Sequence, residues 1–242
     1  MKKITLTIIC ALFSLISFGQ DYELEADQFA GEIVLKNGKT LKGYIDLKGG
    51  EMTPWATQQS IKFFTEEAIK DGKLKANEME KYKPKDLKEF RAGDRYFVTL
   101  KVSASKFTTG IGLPQYKFVE CLVEGDVKLF KLYEAPDPAA VNIGEEQIAA
   151  YEAELERMRN EPVLLLQKGD DKLTPIGKVD LADFLKDCPA VQEKYTSGGY
   201  GVEPFNPDAK SKLGKMIANK ANSVMAEDVL DQIITDYNNC EK

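Results

Sequence analysis

The chain has 242 residues, of which 33 are basic and 39 acidic, and it contains no histidine. The formal net charge of −6 argues against nucleic acid as a partner, because an acidic surface repels phosphate backbones. The lack of histidine removes Ser-His-Asp and Cys-His catalysis, histidine-ligated zinc and the usual general base near neutral pH. We therefore expect no cofactor and no enzymatic activity, since only carboxylate, lysine, tyrosine or thiol chemistry would remain.

Residues 1–19 have the features of a secretory signal peptide. Two lysines precede an apolar run, and small residues stand one and three positions before a cut between Gly19 and Gln20. The run is shorter than the roughly 20 residues that span a bilayer, so a membrane anchor is the weaker alternative. A lipid anchor at Cys10 is weaker still, because Cys10 lies inside the run. No later segment predicts a membrane span, and the periplasm is the expected location, with the cell surface or the medium as alternatives.

Residues 31–47 predict a β-hairpin. Apolar residues flank Asn37-Gly38, the dipeptide that most readily takes positive φ at both centres of a type I′ turn. A glycine and proline loop follows and carries Trp55, the only tryptophan. An exposed tryptophan offers large apolar contact and one hydrogen-bond donor. Trp55 is therefore a candidate ligand contact, unless it folds back over the core.

The next segments predict two strands with a different element between them. Residues 60–64 form a short strand, and residues 96–102 alternate apolar and polar side chains as a half-buried strand does. Between them, Pro84 begins a turn or a helix. Leu87 and Phe90, three residues apart, would be the buried contacts of that element.

Two further hairpins are predicted. Residues 103–114 are expected to be a loop, and residues 116–133 form a hairpin whose arms are apolar on both faces, which favours a central position in a sheet. Residues 163–176 form the third hairpin, which we expect to complete the sheet.

Residues 145–160, between the second and third hairpins, predict a helix. Ile148, Tyr151, Leu155 and Met158 recur at spacings of three and four and form one narrow apolar stripe. Acidic residues come early in the segment and arginines late, as the helix dipole favours. Packing on its own domain is the stronger interpretation of the stripe, and docking of a partner protein is the alternative.

Residues 178–242 predict a helical lobe that packs on the sheet. It includes a lysine-rich helix over 208–221 and a last helix over about 224–238, whose broad apolar face must be covered. Tyr200, in a glycine-rich loop, is a second candidate ligand contact. The fold class is therefore α+β, with an antiparallel, β-hairpin-rich domain over 20–177 and a helical C-terminal lobe.

Three cysteines would remain after signal cleavage, namely Cys121, Cys188 and Cys240. An odd number in an exported protein suggests one pair and one leftover thiol. Cys188 and Cys240 each end a helical segment and could form a disulfide in an oxidising compartment. Cys121 lies in a strand, where a thiol is commonly buried. The alternative is that the thiols are free.

Short signatures occur along most of the mature chain: GEI at 31–33, NG at 37–38 and GYI at 43–45, then YKPKDL at 82–87 and LVEGDVKLF at 122–130, and finally DCP at 187–189 with YN at 237–238. In this order they resemble a set of uncharacterised exported proteins of Bacteroidota-type bacteria. The resemblance implies an envelope location and a β-rich front with a helical tail. It carries no known activity.

The sequence thus predicts an exported, non-catalytic envelope protein that acts as a binding or scaffold module, with another envelope protein as its partner. One alternative is a small-ligand or glycan-binding protein that uses Trp55 and Tyr200. A weaker alternative is a carboxylate-based enzyme acting on glycans, which would need two carboxyl groups within about 10 Å of each other in one cleft.

Overall fold

An antiparallel sheet of ten strands runs through the protein in this computed structural model, which describes residues 23–70, 73–74, 78–108, 110, 112–136, 145–204 and 226–240. Its order is β12-β11-β10-β9-β8-β7-β1-β2-β3-β6, and β4 pairs with β5 in a separate small sheet. The strands are β1 (Gln28–Leu35), β2 (Thr40–Asp46), β3 (Ile61–Phe64), β4 (Ile69–Lys70), β5 (Lys73–Leu74), β6 (Glu80–Tyr82), β7 (Leu87–Ala92), β8 (Arg95–Val102), β9 (Gln115–Val123), β10 (Val127–Leu132), β11 (Val163–Lys168) and β12 (Thr174–Pro175).

The helices are α1 (Pro54–Thr57), α2 (Ala104–Thr108), α3 (Glu145–Asn160), α4 (Leu181–Phe184), α5 (Pro189–Thr196) and α6 (Ala226–Asn238), with 3-10 turns at Glu66–Ala68 and Ile176–Lys178. The predicted α+β class is confirmed, and α3 begins and ends where the sequence predicts. Within the ranges given above, none of these helices has the length and apolarity needed to cross a bilayer. The predicted signal peptide with its Gly19–Gln20 cut, and the predicted helix over 208–221, lie outside the described residues.

The three predicted hairpins are confirmed as β1–β2, β9–β10 and β11–β12. Gly38 has φ +88°, the left-handed conformation that the tight turn after β1 requires. β9 and β10 lie inside the sheet, as their double-sided apolar pattern predicts, and the third hairpin adds the last two strands at one edge.

The predicted turn beginning at Pro84 is confirmed over residues 84–86, where the N–H of Asp86 donates to the carbonyl of Lys83. The helix alternative is wrong, because the residues that follow form β7 between β1 and β8. Leu87 and Phe90 are both fully buried, as expected of them. The pairing of β1 with β7 shifts register between Val34 and Leu35. An irregularity of this kind lets side chains three residues apart in a strand reach the same core. The apolar residues of β7 therefore have a spacing that is more typical of a helix. The expected loop at 103–114 likewise contains α2.

The N-terminal half of the sheet curls back on itself. β3 and β9 are five strands apart in the sheet order, yet Gln58, just before β3, accepts a hydrogen bond at its carbonyl from the N–H of Phe118 in β9, over 3.0 Å. The curl encloses the first core cluster, whose members are all apolar: Ile33, Ile45, Leu47, Ile61, Phe63, Leu87, Phe90, Ala92, Phe97 and Phe118.

The C-terminal helices cover the other end of the sheet. In this second core cluster, side chains of β10 and β11 pack against α4, α5 and the buried face of α6, formed by Leu230, Ile233, Ile234 and Tyr237. The predicted disulfide between Cys188 and Cys240 is confirmed, with 6.2 Å between the two Cα atoms. It ties the end of α6 to the start of α5.

A third core cluster contains Cys121, which is a free, buried thiol as the sequence predicts. Burial raises the pKa of the Cys121 thiol to about 12. The thiol therefore stays protonated and unreactive at neutral pH.

Candidate functional site

A cleft of about 620 Å³ lies between α3 and the loop end of the β8–β9 hairpin. One wall is formed by Ser103 to Ser105 at the start of α2 and by Lys117 of β9, and the other by Glu154, Arg157 and Met158 of α3. Its volume is in the range of about 300 to 1,000 Å³ that is typical of small-ligand sites. The cleft is therefore the candidate site of the described structure.

The serine wall is fixed by local hydrogen bonds. The Ser103 hydroxyl accepts a hydrogen bond from the N–H of Lys106 over 3.3 Å, and its oxygen lies 3.1 Å from that of Ser105. The backbone of Gly112, at φ +144°, lies directly against both hydroxyls, and a Cβ atom there would collide with them. Only glycine fits this position without displacing the serines.

Lys117 brings a cation into the cleft from the sheet. It pairs with Leu100 in the β8–β9 register and is half-buried. Its ammonium group has no hydrogen bond or ion pair with any residue that the structure describes. Desolvation lowers the pKa of the Lys117 ammonium group, since burial disfavours the charged form.

Arg157 holds two carboxylates on the helix side. One of its terminal nitrogens donates to Glu134 over 2.7 Å and to Glu154 over 2.8 Å, and its Nε donates to Glu154 over 2.9 Å. The hydrogen bonds from Arg157 lower the pKa of Glu154, and in turn they raise the pKa of Arg157. Arg159 makes a second link, because its Nε donates to the carbonyl of Met52 over 3.0 Å. Both contacts secure the C-terminal half of α3.

The predicted apolar stripe of α3 joins none of the three core clusters. Met158 lines the cleft, Tyr151 and Leu155 are half-buried, and Ile148 is 43% exposed. At 3.6 residues per turn, Ile148 stands about 120° round the helix from Glu154 and about 180° from Arg157. Polar contacts thus hold the side of α3 that carries Glu154 and Arg157, and packing on its own domain accounts for only part of the stripe.

Trp55 and Tyr200 do not line the cleft. Trp55 lies in α1 and is 8% exposed, and Tyr200 is 7% exposed in the core cluster of the helical lobe. The Tyr200 hydroxyl donates to Asp236 over 2.8 Å, and the Lys194 ammonium lies 4.2 Å from the centre of its ring. Their role as ligand contacts stays a prediction, but each ring has little surface left for a ligand.

The positions and charges of Glu134 and Glu154 can be compared with those that a carboxylate-based glycan enzyme needs. Glu134 and Glu154 contact the same nitrogen of Arg157, so the two bonded oxygens are no more than about 5.5 Å apart, within the limit of about 10 Å for such a pair. Such an enzyme needs one carboxyl group whose pKa is raised so that it can donate a proton. Glu154 has a lowered pKa, so it does not fit the role of the proton donor. In the described ranges, no group of three or more cysteines and acids could hold a metal ion.

Sequence reasoning missed the cleft because its parts lie far apart along the chain. One signal was present in β9, where Lys117 falls in line with Val119 and Cys121 on the side of the strand that faces the third core cluster. A lysine in that position is unusual, since lysine is almost never fully buried without a partner.

Comparisons with protein-family models, with curated proteins and with solved structures give no match.

Proposed function

We propose that this chain is an exported, non-catalytic binding or scaffold module of the cell envelope, with the periplasm as its compartment, and that its partner is another envelope protein. The observation that carries the proposal is the N-terminal half of α3. Residues 147–150 are all exposed, and they include Ile148, the large apolar side chain at the N-terminal end of the stripe.

The Cys188–Cys240 disulfide supports the exported location. Disulfides of this kind persist in oxidising compartments and are rare in the cytosol. The signal-peptide features of residues 1–19 point the same way.

The chemistry of the cleft supports a binding role. The chain has no histidine, and Arg157 pairs with both glutamates of the cleft. Neither glutamate is thus placed as a free general acid or base.

The surface around the stripe indicates which kind of partner would fit. The exposed Glu152 and Glu156 lie beside Ile148 and Leu155 on the helix surface. A partner with an apolar centre and a basic rim would match this arrangement, because interfaces combine a buried apolar core with a charged, solvated rim. The partner protein would bind alongside α3 and cover Ile148.

Co-isolation from cells of the native host tests this proposal. The tagged protein is expressed at native level as wild type, as Ile148→Arg and as Ala153→Arg, and recovery of the envelope partner is quantified. Ala153 is also exposed, but it stands on the opposite side of α3 from the stripe. We expect Ile148→Arg to lower recovery about tenfold or more, since covering an isoleucine contributes at least about 1.5 kcal/mol. Ala153→Arg should leave recovery unchanged, and equal recovery with both variants would show that α3 is not the interface.

A further inference from the structure

The cleft beneath α3 contains a cation without a counter-ion. Glu134, Glu154 and Arg157 are paired with one another, and Lys117 is the remaining charged side chain of the lining. No carboxylate of the described residues lies within ion-pair distance of Lys117, although the protein carries 39 acidic residues. A half-buried ammonium group in a cleft large enough for a small molecule is a docking point for an anion.

The charge balance of the cleft favours an anion with a single negative charge over a dianion. Arg157 provides one positive charge against the two glutamates of the lining, which leaves these three side chains with a net charge of about −1. Glu161, outside the lining, adds a further carboxylate 3.9 Å from Arg157. Lys117 therefore brings the whole lining to neutrality and no further. Any bound anion then adds negative charge to a neutral lining, and the glutamates repel a phosphate dianion about twice as strongly as a carboxylate.

The rest of the lining suits a ligand with hydroxyl groups. Ser103 and Ser105 place two hydroxyls at the wall, and a hydroxyl can both donate and accept. Leu113, which is 86% exposed, and Met158 offer apolar surface at the same opening. Such a mixture of a few polar groups with apolar surface is typical of sites for small polar metabolites.

We propose that this cleft binds a small, hydroxylated carboxylate, such as a sugar acid or a hydroxy acid. The carboxylate accepts hydrogen bonds from the Lys117 ammonium group, and the ligand's hydroxyls bond to the serine wall. This inference goes beyond the proposed function, because Ile148 does not line the cleft. A ligand could bind here whether or not a protein docks on α3.

Nuclear magnetic resonance of the lysine side chains tests the proposal directly. The protein is prepared with isotope-labelled lysine, and Lys117→Met identifies the Lys117 signal. The wild type is then titrated with acetate, lactate and glucuronate, and with glucose and inorganic phosphate as matched controls. We expect lactate and glucuronate to shift the Lys117 signal saturably, by at least fivefold more than the signal of the exposed Lys186. The titrations are run at about pH 8, where inorganic phosphate is mainly the dianion. Glucose and phosphate should have little effect there at the same concentration and ionic strength.

Two outcomes would overturn the proposal. If none of the three carboxylates shifts Lys117 more than Lys186, the cleft is not a carboxylate site. If phosphate shifts Lys117 as strongly as glucuronate does, the argument for a single negative charge is wrong. Gly112→Ala provides an independent check, since its methyl group displaces both serines and should weaken glucuronate more than acetate.

Discussion

Gln58 and Tyr133 are joined by two hydrogen bonds across the gap between β3 and β10. The Gln58 side-chain amide donates to the carbonyl of Tyr133 over 3.0 Å, and its Oε1 accepts from the N–H of Tyr133 over 2.7 Å. The Gln58 side chain thus takes the place of a neighbouring strand just beyond the end of β10. Together with the bond from Phe118, this contact closes the curled half of the sheet.

Replacement of Gln58 by alanine should destabilise the protein by about 2 to 3 kcal/mol, because two backbone groups of Tyr133 lose their partners in a buried region. Urea unfolding followed by circular dichroism measures the change. The adjacent Gln59 is exposed, and Gln59→Ala should alter stability by less than about 0.5 kcal/mol. Similar losses in the two variants would mean that the Gln58 contact does not close the sheet.

The buried ion pair of Glu120 should matter more than an exposed pair of the same chemistry. Glu120 is 7% exposed and accepts from Arg95 over 2.6 Å and 3.0 Å, with Lys131 at 3.8 Å. Glu120→Ala leaves two cations without this carboxylate, so we expect a loss of about 3 kcal/mol in the free energy of unfolding.

The control for Glu120 is Glu124→Ala, which removes the exposed pair of Glu124 with Arg91. Exposed pairs contribute less than about 1 kcal/mol, and thermal unfolding of both variants in parallel compares them. A Glu124→Ala loss as large as that of Glu120→Ala would contradict the importance of burial.

The disulfide should hold the helical lobe together. Cys188 and Cys240 close a loop of 52 residues, and chain entropy predicts a stabilisation of at most about 4 kcal/mol. The double variant Cys188→Ala/Cys240→Ala should unfold at lower urea than the wild type. Addition of a reductant should lower the urea midpoint of the wild type and leave that of the double variant unchanged. If reductant has no effect on the wild type, the bond does not contribute to stability.

Acid should weaken the contact between β11 and the lobe. The pKa of Asp187 is lowered to about 2, first by the hydrogen bond from Lys168 and then by that from the Tyr237 hydroxyl. A carboxyl group in the unfolded chain titrates near 3.9. The contribution of the charged Asp187 carboxylate to folding stability is therefore present above about pH 4 and is lost as pH falls towards 2.

Asp187→Asn removes this acid-dependent contribution. We expect it to lower stability at pH 7 by about 0.5 to 1 kcal/mol, a small value because solvent screens a half-exposed pair. It should also flatten the loss of stability between pH 4 and 2, as measured by thermal unfolding across that range. Asp171→Asn, at an exposed position in the turn after β11, is the control and should keep the wild-type pH profile.

The parts of the fold that the sequence predicted are those fixed by local pattern. The turn at Gly38, the stripe of α3 and the double-sided hairpin β9–β10 each follow from residues close together in the chain. The strand β7 was missed because a shift in pairing with β1 places Leu87 and Phe90 in one core, and pairing cannot be read from one segment.

The candidate site was harder to predict, since it is assembled from distant residues. Lys117 and Arg157 face one cleft only because α3 returns across the end of the β8–β9 hairpin. The stripe of α3 was identified, but its orientation was not, because polar contacts hold the helix from two sides, through Arg157 to Glu134 and through Arg159 to Met52. The spacing of apolar residues predicts that a helix has an apolar stripe, but it does not predict what the stripe contacts.

Site-specific photo-crosslinking in intact cells tests the central claim most directly. A photoreactive amino acid is placed at position 148 in one strain and at position 153 in another, both at native expression, and crosslinked products are identified by mass spectrometry. We expect one recurrent envelope protein to crosslink from position 148 and not from position 153. Recovery of the protein only as an uncrosslinked species from both positions would contradict the proposal that α3 docks an envelope partner.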